Sequence, residues 1–199
     1  MGRHESRSQR GSTRALDPHS LRALAHPLRV QILGILAVDG PATCAGLARR
    51  LEVHSGAVSW HLSKLAEHEL IQEIVDHGTR RERWWRATTP GWSVDAAGYL
   101  ADPRTSADTT AVLEAAITDQ FRRVRQFLDQ EWDARWRESW ILESSVPLRL
   151  DPDGLAAMRA ELRAVLARYA EQRSHAPMAE TVLVHLQGFP VRHDPDEMR

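Results

Sequence analysis

The stretch HSGAVSWHLSKL, residues 54–65, combines an apolar stripe with a row of small polar side chains. Val58, Leu62 and Leu65 recur at steps of four and three, which places them on one side of a helix. The start and the other side of this helix, here called the polar edge, carry His54, Ser55, Gly56, Ala57, Ser59, Trp60, Ser63 and Lys64. The major groove of B-DNA is about 12 Å wide and admits one helix. Hydroxyls and a lysine at this position can bind base edges and phosphates, so we predict contact with DNA.

Trp60 is the one bulky side chain on the polar edge, and two roles suit it. Its indole can contact a thymine methyl group or a sugar in the groove. It can equally pack against a neighbouring β-hairpin. The residue pattern alone leaves both roles open.

Three histidines, His54, His61 and His68, are spaced by seven residues and raise the question of a metal site. On one straight helix, successive members would lie about 10.5 Å apart. Ligands of one zinc ion lie only about 2.1 Å from it, so these three cannot share an ion within one chain. We therefore expect no metal site and no cofactor, with His61 half-buried and His68 exposed.

Motifs of catalysis are absent from the sequence. It contains no glycine-rich phosphate loop, no G-x-S-x-G, no H-E-x-x-H and no C-x-x-C. Its one cysteine, Cys44, cannot form an internal disulfide. No apolar run approaches the roughly 18 residues of a membrane span, and the basic N-terminus lacks the apolar core of a secretory signal. We therefore expect a cytoplasmic binding protein, without a membrane partner and without enzymatic activity.

Three further helical patterns precede the polar edge and position it. The first covers residues 19–25, and Pro27 can open the second, which ends at Gly40 and Pro41. Thr43 is a suitable N-cap for the third helix, CAGLARRL. The three residues Glu52-Val53-His54 then join it to the helix of the polar edge, which matches the dimensions of a helix-turn-helix.

A β-hairpin is predicted after these helices. The runs LIQEIV and RERWWRAT flank a loop that contains a glycine. Four residues at or beside its tip are candidates for contact with phosphates or the minor groove, the alternative being a solvated tip: His77, Thr79, Arg80 and Arg81. Arg83 alternates with the strand residues and can instead pair with Glu73 or Glu82.

The second half of the chain has a different character. Residues 20–90 hold nine basic and seven acidic residues, whereas residues 91–199 hold 13 arginines and 18 acidic residues. A mildly basic half joined to an acidic one is typical of a nucleic-acid reader that carries a second module. Between residues 107 and 142, no proline or glycine interrupts a helical pattern whose apolar positions step by three or four. A helix of this length outgrows a domain of this size, so it either packs against a second subunit or breaks once.

Three tryptophans, Trp132, Trp136 and Trp140, recur at steps of four within this pattern. They suit either an aromatic pocket for an effector or the core of a dimer or domain. The core is the favoured interpretation, because large aromatic side chains at helical spacing usually fill space.

The segments LRALAHPLRVQILGIL, LARRLEVHSGAVSWHLSKLAEHELI and HGTRRERWWR together resemble the ArsR-type winged-helix transcriptional regulators. The resemblance covers roughly residues 20–90 and rests mainly on A-H-P-x-R at residues 25–29 and V-S-x-H-L at residues 58–62. It implies a homodimer that regulates transcription at palindromic operators. Glu52 stands where many such turns carry glycine, and Cys44 lacks the second cysteine of the metal-sensing members, so their thiolate metal site is absent.

We therefore predict a mainly α chain with a small amount of β structure. Its expected parts are a disordered basic arm (1–18), a winged helix-turn-helix DNA-binding domain (19–90), a linker (91–106), a long dimerisation helix (107–142), a C-terminal α+β segment of strand, helix and strand (143–190), and a tail (191–199).

The predicted function is sequence-specific DNA binding by a homodimeric transcriptional regulator on palindromic operators. Its expected partners are double-stranded DNA, a second copy of the chain and an unknown small-molecule effector of the C-terminal half. The alternative is a winged-helix module for protein–protein interaction without specific DNA binding.

Overall fold

The computed structural model describes residues 13–75, 82–141, 146–172 and 179–191. The chain forms two structural units, residues 1–130 and 131–199. No single helix in the described ranges is long and apolar enough to cross a membrane; the first two helices meet both criteria only as a pair bent by 99°.

The first unit contains six helices among its described residues: α1 Pro18–Leu24, α2 Pro27–Val38, α3 Cys44–Leu51, α4 Ser55–Glu67, α5 Ala96–Ala101 and α6 Ser106–Leu128, preceded and connected by five short strands. These strands are β1 Arg14–Ala15, β2 Ala42–Thr43, β3 Ile71–Ile74, β4 Trp84–Ala87 and β5 Trp92–Ser93. The second unit contains α7 Ala134–Ser139 and α8 Pro152–Glu171.

Local signals in the sequence account for where the first helices begin. The Asp17 carboxylate accepts the N–H of Ser20 at 2.7 Å, and Pro18 supplies the first helical residue of α1. Pro27 opens α2 as predicted, and the Nδ1 atom of His26 accepts the N–H of Leu28 at 3.1 Å. The hydroxyl of Thr43 caps α3, as predicted, by accepting the N–H of Gly46 at 3.1 Å. These side chains satisfy backbone donors that have no partner within a helix.

The turn between α3 and α4 depends on a residue in the left-handed conformation. Glu52 ends α3 with φ 56° and ψ 39°, and its N–H is directed to the carbonyls of Ala48 and Arg49. A residue with a Cβ atom is disfavoured at such angles, which is why glycine is common there. The turn nevertheless forms with the predicted three residues between the two helices.

The predicted hairpin is confirmed in its two strands. β3 and β4 pair in antiparallel fashion, with Ile71 opposite Ala87 and Ile74 opposite Trp84, and β2 pairs with the other edge of β4. The resulting order is β2-β4-β3. The hairpin of β3 and β4 that follows α4, together with β2, completes a winged helix.

The core lies where the first four helices meet the sheet and α6. Its fully buried side chains come from every one of these elements: Leu21, Leu24, Ile32, Ile35, Leu47, Val58, Leu62, Leu65, Ile71 and Val112. Burying one such aliphatic side chain contributes about 1.5–3 kcal/mol before the entropy cost of folding is subtracted. α4 is therefore anchored by the main core of its unit.

Two segments predicted to lack structure are ordered parts of this unit. β1, within the predicted disordered arm, pairs in parallel with β5, within the predicted linker, and Leu16 is only 3% exposed. The hydroxyl of Tyr99, on α5, donates to the carbonyl of Leu16 at 3.1 Å. The predictions for residues 13–18 and 91–106 were therefore wrong, because strands of two residues leave no periodic signal. Residues 1–12 lie outside the described residues.

The predicted long helix over residues 107–142 is interrupted. α6 ends at Leu128, and α7 begins after Asp133, whose carboxylate accepts the N–H of Trp136 at 3.0 Å. A short acidic side chain can cap a new helix in this way and thereby competes with continuation of the old one. A single break was one of the two predicted alternatives, but it needs neither proline nor glycine, so the residue pattern did not reveal its position at residues 129–133.

The second unit contains the predicted amphipathic helix but neither predicted strand among its described residues. α8 begins at its Asp151 cap, which accepts the N–H of Gly154 at 2.7 Å. Residues 146–150 and 179–191 are neither helix nor strand, and most of their apolar side chains are exposed. Strands need a hydrogen-bonded neighbour, and in the described part of this unit none is paired with either segment.

Candidate nucleic-acid interface

The two faces predicted for residues 54–65 are present in α4. Val58, Leu62 and Leu65 are at most 1% exposed and form part of the core. The polar edge is exposed except at Lys64, which is half-buried: His54, Ser55, Gly56, Ala57, Ser59, Trp60, Ser63 and Lys64. The helix therefore presents an uncovered row of small and hydrogen-bonding groups on a rigid support.

The start of α4 is tied to the start of α3. The Cys44 thiol donates to the carbonyl of Ser55 at 3.3 Å, across the turn that contains Glu52. Burial raises the pKa of the Cys44 thiol, which keeps the sulfur protonated and able to donate. Together with the packing of Leu47 in the core, this contact holds the first turn of the polar edge in place.

Two side chains of the polar edge already have partners within α4. The hydroxyl of Ser63 donates to the carbonyl of Ser59 at 3.1 Å, which leaves its oxygen lone pairs available as acceptors. The Lys64 ammonium donates to the Glu67 carboxylate at 2.8 Å, and this hydrogen bond lowers the pKa of Glu67. Because that ion pair is exposed and weak, a phosphate can displace Glu67 at little cost.

Trp60 stands on the polar edge with 53% of its surface exposed. Its ring meets that of His61 edge-on, with centroids 4.8 Å apart, and the guanidinium carbon of Arg29 lies 6.0 Å from the indole centroid. A large exposed indole beside two basic side chains suits contact with a nucleic-acid sugar or thymine methyl group.

A pair of histidines lies behind the polar edge. The rings of His26, on α2, and His61, on α4, have centroids 4.4 Å apart. His61 is 6% exposed, more buried than predicted, and no described residue forms a hydrogen bond to its Nδ1 atom. Burial lowers the pKa of both imidazoles, and the positive charge of Arg29 lowers it further. Both rings are therefore neutral at pH 7.

The histidines spaced by seven residues do not converge. His68, predicted to be exposed, is half-buried and packs against His19 of α1, with ring centroids 4.0 Å apart. His54 lies at the opposite, exposed end of α4. In the described ranges, no group of three or more histidine, cysteine or acidic side chains is arranged to hold a metal ion.

The residues predicted at the tip of the wing lie outside the described residues: His77, Thr79, Arg80 and Arg81. At the base of the hairpin, the Arg83 Nε atom donates to the Glu73 carboxylate at 2.9 Å, which is one of the two pairings predicted for Arg83. The same guanidinium lies over the Trp85 ring, 5.0 Å from its centroid.

The three tryptophans of the second unit do not share one helix. Trp132 precedes α7, Trp136 lies within it, and Trp140 is its C-cap. The rings of Trp132 and Trp136 meet edge-on with centroids 6.1 Å apart, and both residues are half-buried, whereas Trp140 is 42% exposed. Because the helix breaks before α7, the three tryptophans do not form the single helical row that was assumed for both the effector pocket and the core.

Sequence reasoning missed one component of the site, the surroundings of Arg29. The motif A-H-P-x-R contains both His26 and Arg29, but only the packing of α2 against α4 brings them to His61 and Trp60. No periodicity within a single helix could have revealed this contact.

Comparison with known protein families agrees with this geometry. Residues 24–74 match a family model described as a helix-turn-helix domain, and they include α2, α3, α4 and β3. The chain carries a helix-turn-helix domain. Such a domain, with an uncovered second helix, supports a DNA-binding transcriptional regulator. No curated protein matches the chain.

Several solved structures are similar to this chain, although their TM-scores are low. Reduced HlyU from Vibrio cholerae is 28% identical, with 35% of this chain and 68% of that chain covered and a TM-score of 0.31. Wild-type ZitR from Lactococcus lactis in complex with DNA is 20% identical, with coverages of 72% and 74% and a TM-score of 0.28. The adhesin competence repressor AdcR from Streptococcus pyogenes is 19% identical, with coverages of 72% and 81% and a TM-score of 0.31.

Proposed function

We propose that this protein is a sequence-specific DNA-binding transcriptional regulator of the ArsR type that acts as a homodimer on palindromic operators. The observation that carries the proposal is the exposure of the polar edge of α4 while Val58, Leu62 and Leu65 are buried. The helix can enter a major groove without rearrangement of the domain that holds it. Its chemistry is binding, with no covalent step.

Each part of the polar edge has a proposed role in this complex. Gly56 and Ala57 allow the start of the helix to approach the DNA backbone, where the helix dipole favours a phosphate. Ser59 and Ser63 exchange hydrogen bonds with base edges, and Lys64 binds a phosphate or a guanine edge. On the wing, His77, Thr79, Arg80 and Arg81 are the proposed contacts to phosphates or the minor groove.

An exposed apolar face of α6 supports the homodimer. One side of α6 packs against α1, α2 and α5 through Val112 and Ala115. Residues on the other side are exposed, including Ile117, Phe121 and Leu128, and Phe121 is 68% exposed. Apolar side chains in such a row favour contact with an equivalent row. A dimer through α6 would pair two recognition helices for half-sites about 34 Å apart.

The proposal includes a small-molecule effector of the second unit. The half-buried pair of Trp132 and Trp136 is its candidate site, because adjacent indoles can sandwich or line a planar ligand. Tryptophan fluorescence of the full chain during titration with a metabolite panel tests this assignment. A saturable change that is absent from a Trp136→Leu variant supports it, and the same change in that variant contradicts it.

Selection of duplexes from a random pool tests the main proposal. Bound fragments are recovered at about 150 mM salt, sequenced and footprinted. We expect an enriched inverted repeat, with protection of two half-sites one helical turn apart. Recovery of no enriched sequence, with no salt-sensitive binding, would contradict the proposal and favour the alternative of a protein-interaction module.

A further inference from the structure

Arg29 occupies an electrostatically unfavourable position. It lies in the first turn of α2, two residues after Pro27, where the helix dipole presents its positive end. A cation at this end of a helix is destabilising, and acidic residues are the usual choice. The first turn of α2 contains no acidic residue.

No described side chain compensates the charge of Arg29. No carboxylate of the described residues forms an ion pair with its guanidinium, and its Nε atom is buried without a hydrogen-bond partner. The positive charge of Arg29 instead lowers the pKa values of three nearby imidazoles, those of His26, His61 and His68. Burial also lowers the pKa of the Arg29 guanidinium, which shows that its charged form has lost hydration.

The neighbouring indole only partly explains this position. The guanidinium carbon lies 6.0 Å from the Trp60 centroid, at the outer limit of a cation–π contact. That contact can orient Trp60, but a neutral ring supplies neither a counter-charge nor an acceptor for Nε. The guanidinium of Arg29 therefore still lacks an anionic partner with several oxygen acceptors.

We propose that Arg29 binds a backbone phosphate of the DNA duplex that α4 enters. The contact rests on the proposed function, since Trp60 links Arg29 to the polar edge and thus to the DNA. A guanidinium offers two parallel donors to phosphate oxygens, which a lysine ammonium does not. The phosphate binds the terminal nitrogens of the guanidinium, since Nε is buried, and supplies the counter-charge that the free protein lacks.

Salt dependence of DNA binding tests the proposal with Arg29→Gln, Arg29→Lys and a control, Arg104→Gln. The control removes one positive charge from the exposed connection between α5 and α6, where Arg104 pairs with Asp102. Affinity for the duplex selected by the wild-type protein is measured at several salt concentrations. We expect Arg29→Gln to reduce the slope of log K against log salt by about 0.9 per protomer, whereas Arg104→Gln leaves it unchanged. Arg29→Lys should keep the slope but bind more weakly.

Duplexes with single methylphosphonate linkages separate a lost contact from a distorted domain. At one linkage per half-site, neutralising the phosphate should weaken the wild-type protein and leave Arg29→Gln unaffected. If a folded Arg29→Gln variant shows the same salt slope as the wild-type protein, the phosphate contact of Arg29 is overturned, whereas the proposed function is not. A wild-type protein that binds no duplex would instead overturn the proposed function. If Arg29→Gln does not fold, Arg29→Lys decides: an affinity equal to that of the wild-type protein would contradict the contact.

Discussion

The imidazole of His61 packs against that of His26, with ring centroids 4.4 Å apart, so α4 rests on the residue that caps α2. The cap requires an unprotonated Nδ1 atom on His26, because that atom accepts the N–H of Leu28. Protonation of His26 would remove the cap and place a positive charge beside His61 and Arg29. The support of the recognition helix therefore depends on neutral histidines.

We predict that the free energy of unfolding falls as the pH is lowered through about 6.5. The pKa values of His26 and His61 are lowered in the folded state by burial, so the unfolded chain binds more protons just below the ordinary value of 6.5. Stability therefore rises with pH in this window and is fully present above it. Urea denaturation between pH 5 and 8 measures the trend.

The variant His26→Asn provides the matched control for this pH dependence. An asparagine side chain can accept the same N–H at an N-cap but does not titrate. We expect a shallower loss of stability below pH 6.5 than in the wild-type protein. Equal losses in the two proteins would show that His26 does not contribute to the acid sensitivity.

Glycine at position 52 should stabilise the domain. Glu52 has φ 56°, and replacing a residue in this conformation by glycine removes a strain of about 1 kcal/mol. Thermal unfolding of Glu52→Gly is the measurement. The control, Glu114→Gly in the middle of α6, should instead lose about 1 kcal/mol. Destabilisation of both variants to the same extent would contradict the description of the turn.

Asp119 should be among the most sensitive polar residues of the first unit. Its carboxylate is 7% exposed and accepts from Arg123 Nε at 2.9 Å and from Arg122 Nε at 3.1 Å. Removing one partner of a buried ion pair leaves an uncompensated charge, so Asp119→Ala should cost about 3 kcal/mol. Urea denaturation of this variant beside exposed Glu114→Ala checks the value, and equal midpoints would rule out the role assigned to Asp119.

A charge on the exposed face of α6 should prevent dimerisation. We expect Phe121→Glu to sediment as a monomer, because the carboxylate would be buried without a partner in the α6 interface. Gln126→Glu, on the same helix but about 140° around its axis from Phe121, should leave the oligomeric state unchanged. Analytical ultracentrifugation of both variants makes the comparison, and a Phe121→Glu protein that stays dimeric would exclude this interface.

The residue pattern was sufficient for the helix-turn-helix because its signals are local. Thr43 caps α3, Pro27 opens α2, and the period of Val58, Leu62 and Leu65 identifies the buried side of α4. Each signal lies within a few residues of the feature it predicts, and the apolar period also predicts which side chains of the site are exposed.

Features that depend on contacts distant in the sequence were not predictable in this way. The pairing of Arg14 with Trp92 joins two strands of two residues each, which are too short for a periodic pattern. The break after Leu128 is followed by the Asp133 cap of α7 and contains no helix-breaking residue. The surroundings of Arg29 arise only when α2 packs against α4.

Discrimination between DNA sequences requires a control for general surface changes. A variant with Arg104→Ala, Ser106→Ala and Ser139→Ala removes two hydroxyls and one cation away from α4 and from the row around Phe121. We expect it to bind the selected duplex as the wild-type protein does. It therefore matches the composition of the change made on the polar edge.

The most direct test of the central claim is a ratio of affinities, that for the selected duplex over that for a shuffled duplex. This ratio is measured at one salt concentration for the wild-type protein and for the triple variant Ser59→Ala/Ser63→Ala/Lys64→Ala. If the polar edge of α4 reads the bases, the ratio falls by at least about tenfold in the variant, while its melting temperature and dimer mass are unchanged. An unchanged ratio in a folded, dimeric variant would contradict the claim that α4 is the recognition helix.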